Sequence, residues 1–383
     1  MPIVLPANNG KDFKENTAVK TTMTAMSIRL KGASSHHAAE GPGVDRFEFE
    51  EIQSGPGSHG WIIACMRIRI LCAIGLFAVA AFAQAQGGKT TRILVGFPPG
   101  QATDIVARLV AERLSTALGH PVIVENKPGQ GGSVVLAQLA RSPADGSVLT
   151  LSALAAYLVN PWLYGNVQYD TLKDFDPVGM VADLPLVLAV NPSVPVKSLK
   201  ELIDYAKANP DKLTHSSSGS GTLSHLLMED FKQRAGVKII HVPYQGSPRA
   251  MIDLIGGNVQ VGLDTVTVIQ PHAKSGKLRL IAAGPLKRLA AFPDLPTVAE
   301  SGFPGFEAVA WVALAAPAGT PREIRERIGG EAAKAIRTPE FAERLAAIGA
   351  VPRPSTPDEF GALLRAESPR WREIVAKSGA KAE

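Results

Sequence analysis

The stretch Phe97-Pro-Pro-Gly-Gln-Ala-Thr-Asp104 most restricts what this chain can fold into, because it joins a run with strand character to a run with helix character through a turn. Arg92 to Phe97 is short and rich in β-branched and apolar residues, and two prolines that cannot donate to a sheet ladder follow it, so the strand ends at Phe97. Beyond the turn, Thr103 or Asp104 caps a helix on which Ile105, Val106, Leu109, Val110 and Leu114 recur on one face. A helix starting there aims unpaired N–H groups and the positive end of its dipole at whatever occupies the turn, a setting that suits a carboxylate. Taken alone, the segment reads first as an ordinary strand-to-helix connection of an α/β sheet.

A second loop of the same kind changes that weighting. Leu213-Thr-His-Ser-Ser-Ser-Gly-Ser-Gly-Thr222 leads from a strand-like opening into Leu223, Leu226, Leu227 and Phe231, again at helical spacing. Hydroxyls, glycines and a helix start converge twice, far apart in sequence. Two such loops predict two α/β lobes facing each other across a ligand.

Not all 383 residues are expected in the mature protein. Met66-Arg-Ile-Arg69 is basic, Ile70 to Phe82 is an unbroken apolar run, and Ala83-Gln-Ala85 is a small-x-small cleavage pattern before Gln86, the make-up of a secretory signal. The apolar run spans roughly 20 Å as a helix against a hydrocarbon core of roughly 30 Å, which argues against a permanent anchor. Residues 1–65 lack sustained periodicity and read as an unstructured extension or a start assigned upstream of Met66. Cleavage near Ala85 is expected to release an exported mature protein. Both cysteines, Cys65 and Cys72, precede that cut, which removes disulfides, thiolate metal sites and a cysteine nucleophile from the mature chain. His120, His215 and His272 are scattered without metal-binding spacing, and no cofactor motif occurs: the turn at Gly129 to Gly132 lacks the Lys-Ser/Thr of a phosphate loop. A net charge of +5 with both signs interspersed is no nucleic-acid footprint.

From Thr91 on, strand and helix signals alternate, predicting parallel-rich sheets with helices on both faces. Pro161 and Pro185 bracket a section read as loop, Leu186 to Val190 opens a second unit, and Ala308 to Ala313 is a strand returning to the first lobe. Lobe 1 is accordingly 87–187 plus 306–383 and lobe 2 is 188–305. Ser198 is expected to cap a helix, and three closing helices are expected to start at Thr320-Pro, Thr338-Pro and Thr356-Pro, each with a capping threonine.

Gly-Phe-Pro-Pro-Gly100, Ala-Thr-Asp-Ile-Val-Ala-Arg108, Val-Glu-Asn-Lys-Pro-Gly129, Ser-Pro-Ala-Asp-Gly146, Val-Pro-Tyr244, Asp-Leu-Ile-Gly-Gly257 and Pro-Asp-Leu-Pro-Thr297, behind an export signal, resemble the Bug family of periplasmic solute-binding proteins, receptors of tripartite tricarboxylate transporters. The resemblance runs through nearly all of 88–380. It implies a two-lobed periplasmic-binding-protein fold of type II, the Venus-flytrap α/β arrangement, closing on a small organic acid without catalysis. It implies as partners the acid and membrane transporter subunits, or a sensor, with no nucleic acid, and a monomeric protein. Carried over, the ligand loops are Phe97, Pro99, Gly100, Gln101, Ala102 and Asp104 in one lobe and Ser217, Ser218, Gly219, Ser220 and His225 in the other, with Tyr244, Gly246, Ser247 and Asp264 completing the second rim. A β-branched residue at Gly100 is expected to weaken binding by blocking close backbone approach.

Several positions depart from the usual pattern: Gln101 stands where a second glycine is common, Gln130 where a smaller residue is usual, Val135 replaces a frequent glycine, Gln245 stands where Lys or Arg is common, and Arg249 lies in a normally uncharged segment. Asp104 reads as a structural cap and His241 and Trp311 as core, whereas His225 either touches the ligand or packs under its loop. A secreted hydrolase using Ser216, Ser217, Ser218 or Ser220 with His225 and Asp264 is the rival, but no Gly-x-Ser-x-Gly elbow occurs.

Overall fold

Strand signals and helix signals resolve into one ten-stranded mixed sheet in the computed structural model, which describes residues 90–378. The expected extension 1–65, the signal 66–85 and both cysteines lie outside the described residues.

In chain order, β1 (Thr91–Val95) is followed by α1 (Ala102–Leu118), β2 (Val122–Asn126), α2 (Ser133–Leu139) and β3 (Val148–Ala153). A π-helical turn, Ala155–Val159, runs into the short α3 (Asn160–Leu163), and then β4 extends from Phe175 to Val190. The second half contains α4 (Leu199–Ala208), β5 (Thr214–Ser217), α5 (Leu223–Ala235), β6 (Ile240–Pro243), α6 (Ser247–Gly256), β7 (Val261–Thr265), α7 (Val266–Lys274) and β8 (Arg279–Ala283). The chain returns through β9 (Val309–Pro317) and closes with α8 (Arg322–Ile336), α9 (Pro339–Ala347), β10 (Val351–Pro352) and α10 (Pro357–Ser378).

The two lobes repeat one local plan. β1 lies between β2 and β3 and β5 between β6 and β7, parallel in all four pairings. Each central strand feeds the loop and helix singled out by the sequence. Val106, Val110 and Leu114 of α1 are buried and Arg108 faces outward, as the helical spacing requires. Between the trios the sheet is antiparallel, because β4 and β9 carry the chain across.

The section expected as loop from Pro161 to Pro185 is corrected here, since its second half belongs to the 16-residue β4. Prolines are tolerated in this strand at special places. Pro177 sits beside an irregularity in the β9 pairing, and Pro185 is the last residue paired with β9 before Leu186 takes up β7. That change of partner marks where the strand passes from one lobe to the other.

The caps are mixed. Ser198 accepts the Glu201 N–H, Thr338 accepts that of Phe341, and Thr356 and Glu359 exchange reciprocal bonds. Thr320 does not cap: its hydroxyl donates to the Pro317 carbonyl, and Pro321 holds the cap position of α8.

Candidate functional site

Three helix amino termini converge where the lobes meet. α1 begins at Ala102, α5 at Leu223 and α7 at Val266, and the residues before them, Gln101, Thr222 and Thr265, supply no side-chain cap. First-turn amides therefore keep donor capacity, and three dipoles turn their positive ends toward one place. A cavity of about 50 Å³ lies there, bounded by Phe97, Gln101, Ala102 and Thr103 of lobe 1, by Ser218, Thr222, Leu223, Ser224, Asp264 and Thr265 of lobe 2, and by Leu184, Leu186 and Ala310 of the crossing strands. It has room for a few waters or one small polar group.

A larger cleft of about 340 Å³ touches the same two residues, Phe97 and Ser218. Its walls are Gly96 to Pro98 and Pro128 to Gly131 on one side, and Ser218 to Ser220 and Tyr244 to Gly246 on the other, with Tyr164 between them. Ala102 and Ser218 thus open onto one shared gap.

The lobes are closed over it. The Gln101 Oε1 accepts the Ser247 N–H across the gap at 3.2 Å, and the Tyr164 hydroxyl donates to the Ser220 carbonyl. Gly246 (φ +100°) lies so close to Pro98 that a Cβ there would stand 2.2 Å from the ring Cγ. Gly221 is pressed likewise against Leu163, at 2.6 Å from its Cδ2 to a built Cβ. At Gly246 closeness between the lobes requires glycine as well as backbone angle does, whereas at Gly221 the near atom is a leucine methyl that can move and the φ of +78° decides.

The loops are braced from behind. Asp104 is buried and accepts the Gly100 N–H at 2.9 Å, two bonds from Arg108 at 3.1 and 2.9 Å, and one from Asn126 at 2.8 Å. Burial by itself would raise its pKa, but these bonds hold the carboxyl below the usual range. In lobe 2 the Ser218 N–H and hydroxyl both meet the Ser224 hydroxyl at 3.1 Å. Beneath them His215, His241 and His225 form a stack, with ring centroids 4.9 and 4.1 Å apart. His225 Nδ1 accepts the Gly221 N–H at 3.2 Å, and Ser217 Oγ meets His241 Nε2 at 2.7 Å. Burial pushes His225 down to about 4 and His241 to about 3, so both imidazoles are neutral at pH 7.

Of the residues named from the sequence, Phe97, Gln101, Ala102, Ser218, Gly219, Ser220, Tyr244, Gly246 and Asp264 form the walls of the two spaces, which share Phe97 and Ser218. Asp104, Ser217 and His225 stand behind the loops, and Ser247 supplies its N–H to Gln101. Pro99 and Gly100 are exposed and border neither space. At Gly100 the nearest atom to an added Cβ is Pro248 Cγ at 3.9 Å, so its glycine answers to φ +84° and not to close approach. His241 is half-buried in the stack, whereas Trp311 is core, stacked on Tyr157. Arg249 is exposed and points back to Gln245, which lines the cleft.

Sequence reasoning missed Tyr164, Ser224, Leu184, Leu186 and Ala310. Ser224 carried a signal, a hydroxyl in the first turn of the helix after the serine loop. The strand residues carried none, because an apolar residue facing a cleft reads like one facing a core. Asp264 is buried at the inner cavity; burial pushes its carboxyl up, while the Thr265 N–H, donating to its Oδ1 at 2.7 Å, works against that. Among the described residues no group of three or more His, Cys, Asp or Glu side chains is placed to hold a metal ion.

The family described as tripartite tricarboxylate transporter family receptor matches residues 106–380. Protein BugT of Bordetella pertussis is 38% identical over 320 residues, covering 82% of this chain and 98% of BugT. Among solved structures, an R. palustris protein with adipate superposes with a TM-score of 0.75 at 33% identity, covering 78% of this chain and 100% of that one. MatC from Rhodopseudomonas palustris with bound malate gives a TM-score of 0.71 at 30% identity, covering 75% and 98%.

Proposed function

The chain belongs to the tripartite tricarboxylate transporter receptor family, and we propose that, as a periplasmic solute-binding receptor of that family, it captures a small organic acid between its lobes and presents it to a membrane transporter. The observation that carries this reading is the convergence of three uncapped helix starts from both lobes on one small interior cavity. Such a place favours a carboxylate without needing a cationic side chain. The acid's carboxylate sits in the inner cavity, and the rest of the molecule extends past Phe97 and Ser218 into the outer cleft. A cleft of about 340 Å³ is at the small end of ligand pockets, which fits a short chain and not a large aromatic solute. Solved relatives carrying malate and adipate support the same class.

Binding performs no chemistry in this reading. The acid favours the closed form because only that form brings both sets of amides to it, and the closed surface is what the transporter recognises. The lobe boundaries proposed are 87–187 with 306–383, and 188–305. We place the mature protein in the periplasm as a monomer after cleavage near Ala85.

Among the described residues the hydrolase reading finds one Ser–imidazole pair, Ser217 with His241, but Ser217 is buried and borders neither space. Ser218, which does face the site, bonds Ser224 instead. Mass spectrometry of acid released from gently purified protein, followed by calorimetric titration with that acid, malate and adipate, tests the proposal. Turnover of ester substrates that Ser217→Ala or Ser218→Ala abolishes would replace it with the hydrolase.

A further inference from the structure

Gln101 is 7% exposed and directly precedes α1, yet its side chain does not cap that helix. Its Oε1 reaches across the gap and accepts the N–H of Ser247, the first residue of α6. A carboxamide has one accepting end and one donating end, and a backbone N–H can be met only by the accepting end. The bond to Ser247 therefore fixes which way the group is turned. Nε2, with its two hydrogens, points away from Ser247, and among the described residues it finds no hydrogen-bond partner. Gln101 lines the inner cavity together with Ser218 and Asp264.

We propose that Gln101 is the specificity-determining residue of this receptor: closure latches its carboxamide oxygen onto Ser247, and that latch aims its nitrogen into the inner cavity as a donor to the ligand's carboxylate. The inference rests on the receptor reading above and deepens it by naming the residue that reads the acid. In the open form the Ser247 bond is lost and the carboxamide turns freely, so the donor is set in place only as the lobes meet. Recognition and closure are thereby one event. A solute that offers an ammonium or amide hydrogen to this position faces donor against donor, so the site selects for a group that only accepts.

Two variants separate this role from a structural one. Gln101→Glu keeps an oxygen for the Ser247 N–H but replaces the donors with a second acceptor, whereas Gln101→Leu removes both functions at similar size. Amide hydrogen exchange at Ser247, measured both without ligand and with malate or adipate at saturation, reads the latch, and calorimetric titration with the two acids reads recognition. The Glu variant is expected to keep Ser247 protected while its affinity for whichever acid the wild type binds falls by about 10- to 150-fold, the loss of a bond to a charged group. The Leu variant is expected to lose both. Wild-type affinity in the Glu variant would overturn the donor role, because a positioning residue would be rescued by that change. Equal exchange at Ser247 in all three proteins would overturn the latch. A wild type that takes up neither acid, and releases none on purification, defeats the receptor reading instead, while the Ser247 exchange pattern still stands or falls on Gln101 alone.

Discussion

Replacing Gly246 by alanine wedges the two lobes apart. The added Cβ would lie 2.2 Å from Pro98 Cγ, 2.8 Å from Pro98 Cδ and 3.0 Å from Gln101 Oε1. Carbon atoms in contact sit about 3.5–4.0 Å apart, so the loops must separate here by roughly 1.5 Å. A proline ring cannot rotate away as a flexible side chain would. Overpacking of this kind costs about 1–3 kcal/mol, and since it is felt only in the closed form it appears as a loss of affinity of about 5- to 150-fold, nearer the upper end for so close an approach. A second cost is separate. Gly246 has φ +100° and ψ 158°, a region that side chains avoid at about 1–3 kcal/mol, and this strain is present in open and closed forms alike. It lowers the melting temperature without changing the ratio of the two forms. The double variant Gly246→Ala with Pro98→Ala distinguishes the terms, because it deletes the two clashing ring atoms and leaves the backbone strain. Calorimetry with the acid released from wild-type protein is expected to show most of the affinity recovered in the double variant, with the lowered melting temperature retained. Affinity in the single variant within twofold of wild type, or no recovery in the double, would show that Pro98 and Gly246 do not limit closure.

Tyr164→Phe removes the interlobe bond to the Ser220 carbonyl and is expected to weaken acid binding by a few fold, the worth of one neutral hydrogen bond, with an unchanged melting temperature; undiminished affinity would count against that contact in the closed form. Asp104→Ala strips the Gly100 N–H, Arg108 and Asn126 of their shared acceptor and is expected to cost about 1–3 kcal/mol in chemical denaturation, together with weaker binding; a loss of binding at full stability would instead place Asp104 on the ligand. Burial depresses the His225 and His241 pKa values, so below about pH 6.5 the unfolded chain takes up protons that the fold refuses, and stability falls as pH falls toward 4. His241→Asn is expected to flatten that fall between pH 6.5 and 4.5 in thermal melts. Asp264 shifts in the opposite sense, so the difference between the two curves is the readout, and parallel curves would refute the assignment. Amino-terminal sequencing of exported protein is expected to begin near Gln86; a first residue well before Met66 would refute the signal reading.

Local physics made much of this protein legible in one dimension. Two prolines after Phe97, helical spacing from Ile105 to Leu114, and a Ser/Gly loop ahead of Leu223 each depend on a few neighbouring residues, and each element formed within a residue or two of its expected place. The same locality misled at Pro185, where a proline taken as a loop boundary lies in the middle of β4, tolerated because the strand changes partner there. Thr320 failed for a related reason: a threonine before a proline resembles a cap until a nearer carbonyl takes its hydroxyl.

The histidine stack behind the site was beyond reach of such reasoning. His215, His225 and His241 come from two strands and a helix, and nothing in their spacing announces a stack. The sequence by itself determined that there would be two loops able to receive an anion, because glycine, hydroxyl and helix-start signals act over a single turn of chain. Only the tertiary structure decided that Ala102 and Ser218 share one cavity, that Gln101 reaches Ser247 and that Pro98 rests on Gly246, because these depend on the angle between two lobes set by the crossing strands β4 and β9.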